Sequence, residues 1–361
     1  MKRFVFERRL STTQEGYLRV TVLSILFSIF LFGVFLLLGG SNPILAYLKI
    51  LRSAFGSLRG ISHTTLRMIP LVFTALAFAL PYRAGVWNIG AEGQMYMGAF
   101  LATGVALSIQ GMPDSLIVPA IIFSGFLAGA IWGAISGILR GLLKVDEIVT
   151  TLMMNYIAIL WVSYLVTGPW REKGGWGYSH SSLIPKERWI PFITGTEIPV
   201  TIVLGVLFAF IIALLLKRSR LGYEIRVVGA NPKTAELAGM SSLKTILLVM
   251  LVAGGLAGIA GAGEIAGVQH RLRMGFSPGY GFTGIVIAFL SRGNPLVIIP
   301  VSFLFAGMIV GGNTLQIVMK LPSGIVEIFQ GMTLFCLAGG QFFLEYRMKR
   351  RKRWEIFSSS P

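Results

Sequence analysis

Largely uncharged apolar runs recur along almost the whole chain, at about 20–40, 64–82, 93–112, 116–139 and 148–168 in the first half. Five more follow at about 198–216, 245–263, 279–291, 295–313 and 324–344. An α-helix rising about 1.5 Å per residue needs roughly 20 residues to cross about 30 Å of hydrocarbon, and most of these runs reach that length. Gly and Pro interrupt the seventh to ninth, which leaves their edges open. The pattern predicts an all-α, polytopic transmembrane helical bundle of about ten spans. With 54% hydrophobic and 13% charged residues in 361, the composition agrees: the bilayer is the main solvent of this chain.

Charge then sets the expected orientation. A formal charge of +17 could suggest a nucleic-acid partner, but the charges flank the apolar runs. With both termini placed in the cytoplasm, the larger part of the 32 Lys and Arg falls on cytoplasmic segments, as the positive-inside rule requires. The densest cluster, "YRMKRRKRW" at 346–354, suits lipid headgroups, and no nucleic-acid partner is expected. The chain divides into a cytoplasmic segment 1–19, a transmembrane domain 20–344 and a basic cytoplasmic tail 345–361. The first apolar run shows no small-residue cleavage site and reads as a retained span. One cysteine, Cys336, precludes a disulfide within the chain and any thiolate metal cluster.

Two hydrophilic segments are long enough to hold other chemistry. The outer one, 169–197, is rich in Trp and charge, which suits interfacial anchoring or the docking of an external partner. In the inner one, 217–244, Asn231 followed by Pro232 is a helix start, because Asn accepts from first-turn amides and Pro at the first position loses no hydrogen bond. Ala235, Ala238 and Gly239 are expected to keep one side of that short helix small, with Glu236 favoured by the helix dipole. It reads either as a connector on the membrane or as a helix that fits into something. "GFLAG" at 125–129 and "GGLAG" at 254–258 form a faint echo between halves, which transporters and close helix packing both produce.

Acids near a bilayer centre cost about 2.5–3.5 kcal/mol on insertion scales, so Glu92 and Glu264 each need a partner or a cavity. Glu92 caps the third span, holds the neighbouring loop by hydrogen bonds, or lines a solute path with Asn88 and Gln94. Glu264 precedes Gln269, His270, Arg271 and Arg273, where an ion pair is the simple reading and contact with a solute the sharper one. Asn155 satisfies a neighbouring backbone or meets a hydroxyl-rich solute. Phe282 packs or stacks on a base. His63, His180 and His270 lack metal-ligand spacing, and no nucleophile and base set can be placed on facing helices, so neither metal nor catalytic site is expected.

Four motifs occur in order: "NIGAEGQ" at 88–94, "VDEIVTTLMMNYIA" at 145–158, "GANPKTAELAG" at 229–239 and "GYGFTGIVIAFLSRGNP" at 279–295. Over roughly 18–344 the chain resembles the permease subunits of ABC importers of the ribose and branched-chain amino acid superfamily. Its branch is similar to those that work with a BmpA-like lipoprotein in nucleoside or simple-sugar uptake. Ser291 is a local departure, since Leu-Gly is commoner there. The resemblance implies half of a pore in the cell membrane, beside a second permease, over cytoplasmic ATPase subunits and under the lipoprotein. It makes 231–241 the coupling helix, with Gly229, Asn231, Pro232, Ala235, Glu236 and Gly239 as ATPase-coupling residues. No G-x-x-x-x-G-K-[ST] stretch occurs, so the chain itself is expected to bind no cofactor and ATP is used by a partner. An ion-coupled secondary transporter, with Glu92 and Glu264 as ion sites, is the alternative.

Overall fold

A computed structural model describes residues 2–8, 14–109, 111–172, 174, 177–322 and 324–352. They are predominantly helical and divide into two units, Ile50–Gly311 and a smaller one of Met1–Lys49 with Gly312–Pro361. Each of the ten predicted spans coincides with a helix. Seven of these are long and apolar enough to cross a membrane.

In the smaller unit, α1 (Gln14–Leu38) packs on α13 (Ile325–Glu345). Phe32 and Phe329 meet with ring centroids 4.6 Å apart, and Thr333 Oγ1 donates to Ser28 Oγ at 3.3 Å. Between the helices' far ends the chain is not helical. Strand β1 (Lys2–Arg8) pairs antiparallel with β2 (Tyr346–Lys352), Lys2 opposite Lys352 and Arg8 opposite Tyr346. The expectation of an all-α chain is corrected there, because the basic tail offers its backbone to the other end of the chain. Residues 353–361 of that tail lie outside the described residues.

The larger unit is built around α3 (Leu58–Arg83), whose residues from Met68 to Pro81 are all buried. On it pack α4 (Ala91–Ser108), α7 (Thr201–Arg218) and α10 (Ser242–Glu264), while α5 (Asp114–Leu143) covers α10 and α4, and α6 (Glu147–Thr167) lies on α4 and α5. Two shorter helices were not expected. One is α2 (Pro43–Phe55), which begins in the smaller unit, where Asn42 starts it by accepting from Ile44 N–H at 3.0 Å. The other is α8 (Arg220–Ala230), which buries Gly222, Ile225 and Val228 at helical spacing while its charged residues face outward.

Glycines set the tightest seam. On α5, Gly125, Gly129, Gly133, Gly137 and Gly141 recur every fourth residue and so share one face. That face lies on α10: a Cβ at Gly129 would strike the carbonyl of Gly254, and one at Gly258 would strike the carbonyl of Gly125. The echoed sequences 125–129 and 254–258 therefore touch. Where two backbones meet this closely only a hydrogen fits, so the repeat follows from packing in a medium that offers helices no hydrophobic drive to associate.

The predicted eighth span needs a second correction. Helix α11 (Tyr280–Leu290) has 11 residues, a rise of about 16 Å, and does not cross a bilayer alone. It lies on α3, where Thr74 Oγ1 donates to the Tyr280 carbonyl at 3.0 Å, and ends where Arg83 Nη2 donates to the carbonyl of Arg292 at 3.0 Å. Since Thr74 is about 14 Å along α3 from Arg83, α11 begins part-way along the central helix.

Candidate functional site

Two helices start beside this midpoint, and their N-termini are tied to each other. The Glu92 carboxylate, in the first turn of α4 and only 2% exposed, accepts the Gly281 N–H of α11 at 2.6 Å. Ser277 closes the arrangement: its hydroxyl bonds to the same carboxylate, and its Oγ accepts the Tyr280 N–H at 3.1 Å. A Cβ at Gly281 would land on the backbone of Glu92, so glycine is required for the approach. Glu92 thus serves as an N-cap, but for α11 rather than for its own helix. The negative charge faces the positive end of a helix dipole, which makes it tolerable at this depth.

The stretch that carries α4 to this depth, 84–90, is not helical, and irregular backbone inside a membrane must be satisfied by protein. Asn88 and Gln94 exchange amide hydrogen bonds at 3.0 and 2.9 Å, and Asn88 also donates to the Ala77 carbonyl at 3.0 Å. From α6, Asn155 accepts the Gly93 N–H at 2.7 Å and donates to the Ile89 carbonyl at 2.9 Å. Glu147 accepts the Trp87 N–H at 3.4 Å and pairs with Arg140 at 3.1 Å. Glu147, Thr151 and Asn155 stand four residues apart, so one stripe of α6 meets the chain at Trp87, Ile89, Gly90 and Gly93. Phe78, Tyr82, Trp87 and Phe289 gather where α11 ends, with ring centroids 5.5–6.0 Å apart.

A second polar cluster lies beyond the α11 start. Glu264 pairs with Arg67 of α3 at 3.3 Å, and the same guanidinium nitrogen donates to Tyr280 Oη at 2.7 Å. Five residues of π-helix, Ile265–Gln269, end α10 and bring Gln269 onto the Glu264 side, where Nε2 donates to the carboxylate at 2.7 Å. The ion pair expected for Glu264 is present, but its partner is Arg67 from another helix. Arg271 turns instead to Glu172, at 3.7 Å, and to His180. The segment 169–197 lies against this turn: Ser181 N–H donates to Leu272 and Ile184 N–H to His270, both at 2.8 Å. Trp189 stacks on His270 with centroids 3.5 Å apart, and burial there pushes the imidazole below the usual histidine range.

At the Arg83 end of α3 the inner segment rests on the start of the irregular stretch. A Cβ on Gly229 would meet the Arg83 carbonyl, and Gly85 lies opposite Gly229. Helix α9 (Pro232–Leu237) projects from there. Asn231 Oδ1 accepts the N–H groups of Lys233 and Thr234 at 3.0 and 3.3 Å, as its sequence predicts. The expected small face is corrected. Ala235 is buried, Ala238 and Gly239 are exposed, and Gly239 has φ +77 because it terminates the helix, with Met240 N–H returning to the Ala235 carbonyl at 2.9 Å. The exposed apolar residue is Leu237, 91% accessible.

Residues 60–338 match the model of a family described as the branched-chain amino acid transport system permease component. The chain belongs to this permease family. Among its relatives, a glucose ABC transporter permease protein, TsgB13 of Haloferax volcanii, is 33% identical over 91% of this chain and 88% of its own. The nucleoside ABC transporter permease protein NupB of Lactococcus lactis is 31% identical over 92% and 93% of the two chains. The guanosine ABC transporter permease protein NupP of Bacillus subtilis is 28% identical over 94% and 97%.

In this permease three of the four motifs converge on one place: Asn88 to Gln94 form the start of α4, Glu147 to Asn155 hold it, and Tyr280 to Gly284 dock on it and on α3. The fourth, 229–239, meets the same stretch through Gly229. Asn88, Gln94 and Asn155, read from sequence as path candidates, spend their amides on one another and on backbone. Phe282 differs, being 40% exposed on an otherwise covered helix. Ser277, Arg67 and Thr74 were not singled out from sequence, since their partners lie on distant helices. The four-residue spacing of Glu147, Thr151 and Asn155 was a usable signal.

Proposed function

We propose that this permease forms half of the translocation pathway of an ATP-driven importer for a nucleoside or related simple sugar, in the cytoplasmic membrane. A second permease chain completes the pore, cytoplasmic ATPase subunits bind α9, and an extracytoplasmic lipoprotein delivers the solute. The observation that carries this reading is α9 itself. It is capped at its N-terminus by Asn231 and closed by the turn at Gly239, rests on the chain through Ala235, and presents Leu237 at 91% exposure. A Leu this exposed on a projecting helix fits a groove in another protein.

Both termini and α9 are assigned to the cytoplasm. The pairing of β1 with β2 supports a common side for the termini, and the basic flanks support that side being cytoplasmic. Closure of the ATPase on α9 would press through Gly229 on Gly85 and so on the stretch that carries Glu92. The two buried starts of α4 and α11 would then shift together. An ion-coupled mechanism gains no support from the geometry, because Glu92 is engaged with α11 and Glu264 already faces a guanidinium.

Purification of the tagged permease from its native membrane tests the assignment. An ATPase and a second permease are expected in stoichiometric amounts; a chain that comes out alone and transports in liposomes without ATP contradicts it.

A further inference from the structure

The cluster around Glu264 has more hydrogen-bonding capacity than the protein uses. Glu264 is 2% exposed, yet its Oε2 has no partner among the described residues, and neither does the buried Oε1 of Gln269 beside it. An unpaired buried acceptor costs stability, so two on hydrogen-bonded neighbours point to a ligand that supplies donors. Arg67 uses only Nη1 in the bonds to Glu264 and Tyr280, and 31% of its side chain is accessible, which opens the cluster on that side. The π-helical turn that creates the pairing of Glu264 with Gln269 is the kind of local irregularity that gathers at functional sites.

We infer that Glu264, Gln269 and Arg67 form a solute station in the permease that recognises a vicinal diol. The inference rests on the importer reading above and adds to it a site and a chemical class. Two adjacent hydroxyls supply two donors for the two unpaired acceptors, while their lone pairs face the remaining guanidinium donors. Glu264 and Arg67 neutralise each other, so the station suits an uncharged solute, and a metal cation there would lie beside the guanidinium. Ribose and hexose share the diol and differ in what lies beyond it, so one station serves both.

Saturation-transfer NMR on the permease–ATPase complex in nanodiscs, without the binding protein, tests this with uridine as probe. Saturation is expected to be strongest at the ribose H2′ and H3′ protons, and 2′,3′-dideoxyuridine is expected to compete at least about tenfold more weakly. Glu264→Gln, which keeps the side-chain shape, and Gln269→Leu are each expected to weaken uridine binding about tenfold. Co-purification with the ATPase shows that a variant is folded, and the comparison of uridine with its dideoxy analogue needs no variant. Equal competition by dideoxyuridine, saturation confined to the base, or unchanged affinity in assembled variants overturns the station alone. Failure of the complete wild-type transporter to take up either uridine or glucose overturns the importer reading and the station with it.

Discussion

Leu237→Asp abolishes ATP hydrolysis coupled to solute while leaving the permease folded in the membrane. At 91% exposure the side chain contributes almost nothing to the stability of the chain that carries it, so the variant inserts and resists heat as the wild type does. What changes is the partner surface. Docking a carboxylate into a groove shaped for Leu leaves a desolvated, unpaired charge, a cost of several kcal/mol and enough to lower ATPase affinity more than a hundredfold. Substitution at Gly239 is a poorer probe, since its φ of +77 makes any side chain there strained before docking is considered. Solute-stimulated phosphate release by the reconstituted complex, with thermal unfolding of the permease alone as control, makes the measurement. Normal stimulated hydrolysis in Leu237→Asp would mean that α9 is only a connector.

Glu92→Ala has the second large effect, and on the fold of the core itself. It strands the Gly281 N–H and the Ser277 hydroxyl in a buried site, each at about 1–3 kcal/mol, and removes the charge that faces the α11 dipole. Uptake is expected to fall more than tenfold and the apparent Tm of the permease to drop. Glu92→Gln keeps an acceptor for Gly281 N–H and a donor for Ser277 Oγ, so it should hold the helix start and recover a substantial part of both. Equal loss in the two variants would show that the charge matters more than the cap. Wild-type behaviour of Glu92→Ala would remove the trans-cap from the account.

Hydrophobic length located a helix for each of the ten predicted spans, because in a bilayer the spans must be apolar and the sequence advertises them. It failed in two physical situations. The run 279–291 is as apolar as its neighbours, and only the position of Thr74 and Arg83 on α3 reveals that α11 starts part-way. Helices α2 and α8 lie outside the apolar runs and declare themselves by caps and amphipathic spacing, as with Asn42 and with Ile225 and Val228. At the site, what depends on adjacent residues was legible: the Asn231–Pro232 cap is formed as read. What depends on distant residues was not. Glu92 looked like a cap for its own helix and caps another, and Glu264 looked paired to Arg271 or Arg273 and found Arg67.

The central claim is that this permease moves a solute on energy supplied by a separate ATPase, and uptake into proteoliposomes tests it most directly. With the ATPase, second permease and binding protein reconstituted, labelled uridine or glucose should accumulate only when ATP is on the α9 side, at a rate unchanged by ionophores that dissipate proton and sodium gradients. Uptake that persists without ATP and collapses with the ion gradient would contradict it.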